Sequence, residues 1–204
     1  GEAGGKKQEG ISFFLIDMKA PGVTVRPIIT FDGKHEINEV RLDGVRVPAE
    51  DRVGEEGAGW TIAKFLLTHE RTTIAGVADS KREIERLKQM LKDTKQGSGC
   101  RWDDAFARRR VAELEIDLAA LEYTNFRTVA ATEEGKGLGA ESSGLKIKGT
   151  ELQQAITQAM VELGGHLSLT WDNDEPVGNF AFNRTRERYN FLRAATIYGG
   201  TNEI

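Results

Sequence analysis

The alternation of apolar and polar positions changes character near Gly54. Before it, apolar residues come in short bursts separated by turn chemistry. Ile11 to Met18 (ISFFLIDM) is a near-continuous apolar run followed by the turn signal Pro21-Gly22. Val23 to Ile28 comes next, and Asp32-Gly33 is a hairpin signal between two extended segments. Glu36 to Val47 alternates, placing Ile37, Val40, Leu42, Val45 and Val47 mostly on one side until Pro48 stops it. This pattern predicts three or four antiparallel strands. So few strands form a marginal sheet with exposed edges, and a run such as Phe13-Phe14-Leu15-Ile16 expects cover on both faces. The sequence opens in a Gly/Lys-rich loop directly before this block. The expectation is therefore a sheet whose first half lies upstream of residue 1.

Beyond Gly54 the period becomes helical. From Trp60 to Leu91, residues Ile62, Phe65, Leu66, Ile74, Val77, Ile84, Leu87 and Leu91 share one arc at about 100° per residue. A second helix is expected from about Asp103 to Glu133, with Val111, Leu114, Leu118 and Leu121 at heptad-like steps. A third, from about Ser143 to Leu163, carries Leu145, Leu152, Ile156, Met160 and Leu163, and Gly164-Gly165 is its natural stop. A shorter helix near Thr185 to Thr196 leads into Ile197 to Ile204. Three long amphipathic helices and a short fourth predict an antiparallel bundle. Strands first and helices afterwards give an α+β chain rather than a doubly wound sheet, and no repeat of solenoid period is present.

Composition narrows the class. The 204 residues hold 23 glycines and 4 prolines, and 39% are hydrophobic, which suffices for a packed core and excludes collagen-like or disordered chains. A net charge of −4 argues against a nucleic-acid binder. One cysteine, Cys100, excludes a disulfide framework and suits a reducing compartment. Neither a membrane-length apolar run nor a signal-peptide pattern is found, so a cytoplasmic protein is expected.

Among candidate chemical groups, Glu70 stands out. It sits about 50° from the centre of the apolar arc, where a desolvated carboxylate has a raised pKa and suits general-base work. Geometry alone favours the other reading, a glutamate at the stripe's edge paired with a neighbouring helix. Arg71 points away from the arc. His69 reads as a core residue, and His35 and His166 are isolated, so no metal-ligand spacing is present. Arg108-Arg109-Arg110 lies within two turns of Glu113, Glu115 and Asp117, the pattern of a solvated helix face. Gly164-Gly165 and Gly199-Gly200 fit no phosphate-loop pattern. They read either as C-caps or as sites of close backbone approach to a ligand.

Taken together, several segments resemble the acyl-CoA dehydrogenase family. They are EINEVRLDGVRVPAEDRVGEEGAGW (Glu36 to Trp60), HERTTIA (His69 to Ala75), LKIKGTELQQAI (Leu145 to Ile156), ELGG (Glu162 to Gly165) and IYGGTNEI (Ile197 to Ile204). They follow the family's order across essentially the whole chain. The resemblance implies an N-terminal helical domain, a middle β-domain and a C-terminal four-helix bundle. Residues 1–53 would be the second part of the β-domain and residues 54–204 the bundle, with a further helix expected beyond Ile204. It implies FAD as cofactor, an acyl-CoA thioester as substrate, an electron-transfer flavoprotein or similar acceptor, and a homo- or hetero-oligomer built as a dimer of dimers. Without the first domain, the 204 residues alone are expected to be inactive.

The family removes the proton α to the thioester carbonyl with a glutamate and passes the β-hydride to flavin. Many members carry that glutamate directly after the tyrosine of the last motif, where this sequence has Gly199. A second group, similar to the isovaleryl and long-chain enzymes, places it on the first bundle helix before an arginine, which here means Glu70 and Arg71. The resemblance thus implies that Glu70 is the base and that Arg71 borders the substrate. The Gly199 N–H would donate to the thioester oxygen. Thr201, Glu203, Gly164 and Gly165 would contact flavin. Two positions depart from the family's pattern. An R-x-x-F-G arginine that grips the flavin diphosphate of a neighbouring subunit is replaced within Lys95-Gln96-Gly97-Ser98, and a glutamine before the glycine pair is Glu162, an anion near a diphosphate. Such a pattern fits a subunit of a two-chain relative that keeps half its flavin sites, or a non-catalytic scaffold. An oxidase of the same fold is the third reading.

Overall fold

The computed structural model describes residues 5–6, 8–134, 141–170, 182 and 184–203, with backbone alone for 67–74, 132–133 and 142. The chain divides into two compact units, Gly1–Thr30 with Lys34–Glu70, and Phe31–Gly33 with Arg71–Ile204.

The first unit is held mainly by backbone pairing. Strand β1 (Phe13–Phe14) pairs antiparallel with β4 (Arg52–Val53), and β2 (Val23–Ile29) pairs antiparallel with β3 (His35–Leu42). The β2–β3 register runs from Val23↔Leu42 to Ile28↔Ile37, with an irregularity before Ile29↔His35. The hairpin flanking Asp32-Gly33 is thus present. The expected single block of strands is instead two separate two-stranded ladders among the described residues. Only Phe13 and Phe14 of the Ile11–Met18 run are extended in a ladder, and Val45 and Val47 lie beyond β3. Gly22, at φ +91, closes the open end of the hairpin. Its carbonyl accepts from the Asp43 N–H at 2.9 Å, and a Cβ there would lie 2.2 Å from the Asp43 carbonyl oxygen. The N-terminal segment is pinned to residues 51–59 by Leu15 N–H to Asp51 O (3.0 Å), Gly59 N–H to Ile11 O (2.7 Å) and Gly57 N–H to Ser12 Oγ (3.0 Å).

Helix α1 (Gly59–Ile74) ends at a break that the apolar arc does not reveal. Gly76 is left-handed (φ 58, ψ 30), and α2 (Val77–Asp93) starts afresh after it. The expected helix from Trp60 to Leu91 is therefore two helices, because a residue in this conformation cannot continue a right-handed ladder. Phe65 and Leu66, placed on the shared arc by sequence, are 67% and 57% exposed.

The second unit contains the core. Helices α2, α3 (Ala105–Glu133) and α4 (Glu141–Gly164) pack on one another, and the short α5 (Thr185–Phe191) packs on α4. Buried side chains recur at helical steps: Ile84, Leu87 and Leu91 on α2, Val111, Leu114, Leu118 and Leu121 on α3, and Leu145, Leu152, Ile156 and Met160 on α4. Each such side chain contributes roughly 1.5–3 kcal/mol by leaving water. A two-stranded turn of β5 (Lys95–Gln96) and β6 (Gly99–Cys100) joins α2 to α3. In it the Asp103 carboxylate accepts the Cys100 N–H at 2.8 Å. The three arginines resolve as a solvated face in part, with Arg109 and Arg110 both paired to Glu113 at 3.0 and 3.4 Å.

One helix crossing is made without a side chain between backbones. A Cβ at Gly149 of α4 would lie 2.4 Å from the Ala75 carbonyl oxygen and 2.8 Å from the Ala75 Cα. Glycine is required here because the lead-in to α2 is pressed directly on α4.

Candidate functional site

The sequence-derived site residues fall in three places. Glu70 and Arg71 lie in the last turns of α1. Their side chains, with that of His69, lie outside the described residues.

Gly199, Thr201 and Glu203 belong to the closing segment 197–203. Its approach is set by α5 and a short 3-10 turn (Leu192–Ala194), after which the Ile197 and Tyr198 N–H groups donate to the Ala194 carbonyl at 2.9 and 3.0 Å. Gln154 of α4 holds this lead-in, donating to Leu192 O at 2.9 Å and to Thr196 Oγ1 at 3.4 Å. Arg193 reciprocates. Its guanidinium donates to Gln154 O at 3.1 Å and Thr157 Oγ1 at 3.3 Å while stacking 4.2 Å over the Tyr189 ring. Gly199 and Gly200 both have positive φ, 64° and 93°, and both are exposed. The pair is therefore a backbone requirement whatever lies against it. Thr201 donates its hydroxyl to the Glu203 carboxylate, so these two residues are coupled to each other.

Sequence reasoning missed the anchor of this segment. Lys146 of α4 is 7% exposed, and its Nζ donates to Gly200 O at 2.6 Å and to Asn202 Oδ1 at 2.7 Å. The Asn202 amide in turn donates to Thr150 Oγ1 at 3.3 Å. No local signal reveals this, because a lysine on a helix ordinarily reads as solvated and its partners lie 54 and 56 residues away.

Gly164 and Gly165 end α4. Gly164 is buried, and a Cβ there would meet the Phe182 ring at 2.6 Å, so a core side chain already accounts for the glycine. Gly165 is exposed and left-handed (φ 56), the position that stops a helix. Ser168 Oγ donates to Val161 O and Gly165 O at 2.9 and 2.7 Å, and Arg101 donates to Leu163 O.

The two positions that depart from the family pattern share one cleft. Gln96 and Glu162 line a hollow of about 220 Å³ together with Arg101 and Asp104. Arg101 is spent on the Leu163 carbonyl, Glu162 accepts from Gln158 at 2.7 Å, and Asp104 caps α3 through the Phe106 N–H at 2.9 Å. Two carboxylates against one engaged guanidinium do not fit a diphosphate. The closing segment, with exposed glycine backbone and a hydroxyl, does fit the edge of a flavin or thioester. A larger cleft of about 520 Å³ between α3 and α4 is lined by Ala120, Leu121, Gly144 and Leu145, and among the described residues neither Gly164, Gly165, Gly199, Thr201 nor Glu203 lines it. Among the described residues no group of His, Cys, Asp and Glu has the spacing to hold a metal, and no helix is long and apolar enough to cross a membrane.

Comparisons agree on one family. The model of the acyl-CoA dehydrogenase C-terminal domain matches residues 57–204. The chain is similar to acyl-CoA dehydrogenase IpdE1 of Mycolicibacterium smegmatis, 31% identical over 205 residues that cover 100% of this chain and 48% of that protein. Among solved structures, it matches the Tcur3481-Tcur3483 steroid ACAD with a TM-score of 0.86 at 25% identity, covering 100% of this chain and 51% of the other. It matches the ChsE4-ChsE5 complex from Mycobacterium tuberculosis with a TM-score of 0.80 at 26% identity, covering 97% of this chain and 51% of the other. The chain thus spans about half the length of these three proteins.

Proposed function

Because this chain belongs to the acyl-CoA dehydrogenase family, we propose that it forms the C-terminal helical part of an FAD-dependent enzyme desaturating an acyl-CoA thioester, with Glu70 as the α-proton base. The observation that carries this reading is a complementary pair of positions. The closing turn has no carboxylate where its side chain would meet the substrate, only Gly199 and Gly200, whereas Glu70-Arg71 stands near the end of α1.

In this reading the Glu70 carboxylate takes the proton from the carbon α to the carbonyl, and the electron pair left behind delocalises onto the thioester oxygen. The Gly199 N–H donates to that oxygen and stabilises the enolate as it forms, the role of an oxyanion donor. Arg71 orients the acyl-CoA, and the absent side chain at Gly199 leaves room for a base arriving from α1 and for a bulky acyl group. The likeness to a steroid ACAD supports such a substrate. Thr201 and Glu203 lie at the flavin edge, and Gly165, the exposed member of its pair, is the better placed of the two for flavin contact. The flavin, when bound, accepts the hydride from the β-carbon, and the electrons leave to an electron-transfer flavoprotein or similar acceptor.

Glu70→Gln in the full-length protein tests the assignment. Turnover should fall by about 10²–10⁴-fold, the span of general-base contributions, while flavin content stays parental. Near-parental turnover rejects Glu70 as the base.

A second reading is favoured by the acid-lined cleft at Gln96 and Glu162. In it, the chain belongs to a heteromeric enzyme in which this diphosphate half-site is lost, and the likeness to the two-component ChsE4-ChsE5 complex supports this. The ratio of flavin to chain in the purified assembly decides between the two. One flavin per chain favours a complete set of sites, and half or none favours the heteromer.

A further inference from the structure

Of the buried ionisable groups in the helical unit, Lys146 has no part in the chemistry described so far. Placing an ammonium at 7% exposure costs several kcal/mol unless its donors are satisfied, and both described acceptors are neutral oxygens rather than carboxylates. A charge retained there needs a reason beyond packing, since an apolar side chain of the same length would fill the volume.

The geometry supplies one. The Gly200 carbonyl is drawn towards α4 by Nζ at 2.6 Å, and no peptide bond in the described chain is cis. In a trans peptide the carbonyl and the following N–H point in opposite directions. Fixing Gly200 O inward therefore turns the Thr201 N–H outward, away from the bundle. Asn202 locks the next residue, its Oδ1 on Lys146, its amide on Thr150, and its own N–H on Thr196 O at 3.0 Å. Two successive glycines make this the stretch of the segment with the most backbone freedom to lose, and hence the one that most needs an external anchor.

We propose that Lys146 is the positioning residue of the closing segment, holding the Gly200 peptide so that the Thr201 N–H is preset as an outward donor, with its buried positive charge favouring a ligand that carries or develops negative charge at that edge. This rests on reading the segment as ligand-facing, and the ligand class is an electron-rich carbonyl or ring oxygen, as an enolate or reduced flavin presents.

The test uses the full-length protein with Lys146→Met, Asn202→Ala and the double variant, alongside Glu70→Gln. Lys146→Met should lower kcat by about ten- to a hundredfold, the effect of a misplacement on the ångström scale, while KM for acyl-CoA stays near parental. Amide hydrogen exchange over residues 197–203 should accelerate, with exchange over 151–163 of α4 unchanged. Asn202→Ala should act in the same direction more weakly, and the double variant should fall short of the product of the single effects. If Lys146→Met fails to assemble, Asn202→Ala carries the same readouts from a half-buried loop position. Parental kcat and parental exchange at 197–203 overturn the proposal. Faster exchange spread evenly through α4 also overturns it, because that marks a packing residue. Full activity in Glu70→Gln together with segment-specific exchange in Lys146→Met removes the base and keeps the anchor. The converse pattern removes the anchor alone.

Discussion

Within these 204 residues the two units bury their apolar side chains to different degrees. In the helical unit, Leu87, Leu114, Leu145 and Met160 sit in a closed core with essentially no exposure. In the β unit β2 and β3 pair in steady register from Val23↔Leu42 to Ile28↔Ile37, yet Val40 within that stretch is 48% exposed and Ile37 and Leu42 are exposed with it. Within these residues one region is packed by side chains that leave water, while the other is joined by backbone bonds and turn glycines such as Gly22. Apolar content alone therefore says little about where a core lies, since both regions are rich in aliphatic residues.

This difference can be broken most severely in the core. Leu87→Ala is expected to destabilise the helical unit by about 2–5 kcal/mol, the range for a fully buried leucine, as read by urea unfolding of the helical signal. Val40→Ala, in the exposed ladder, should change the same measurement by no more than about 0.5 kcal/mol. Comparable losses from the two would erase the distinction. A smaller effect separates two glycines on one helix. Gly149→Ala drives a methyl into the Ala75 backbone and should cost about 1–3 kcal/mol. Gly144→Ala meets nothing within 4 Å and should stabilise by about 0.4–1 kcal/mol by restricting the unfolded chain. The smallest effect is electrostatic. The Cys100 N–H holds the Asp103 carboxyl below its ordinary value of 3.8. Because the folded value is the lower one, its contribution is complete above 3.8 and is lost as pH falls through the folded value. Trp102 fluorescence should report loosening of the β5–β6 turn in that acid range, and Asp103→Asn should remove the pH dependence.

How much was legible follows the same division. The cores of α3 and α4 were readable because Val111, Leu114, Leu118 and Leu145, Leu152, Ile156 repeat at helical spacing and are buried as the spacing demands. The hairpin was readable from Asp32-Gly33, since the turn chemistry is local. The break at Gly76 was not, because apolar residues on either side of it continued the same apparent arc and concealed two independent helix phases. That matters for Glu70, whose angular position was measured on a helix that does not continue. The family motifs, rather than periodicity, single it out. Lys146 and Arg101 were invisible for a different reason, since their partners, Gly200 O and Asn202 Oδ1 for the lysine and Leu163 O for the arginine, are brought close only by tertiary packing.

The side-chain-free crossing of Gly149 and Ala75 has a further implication. The same turn of α4 that carries Lys146 and Thr150, and so grips the end of the chain, also seats the residue that directly follows α1. Two contributions separated by well over a hundred residues in sequence are thus referenced to a single short stretch of helix. A displacement of this stretch would carry Ala75 and the Gly200 peptide along in common.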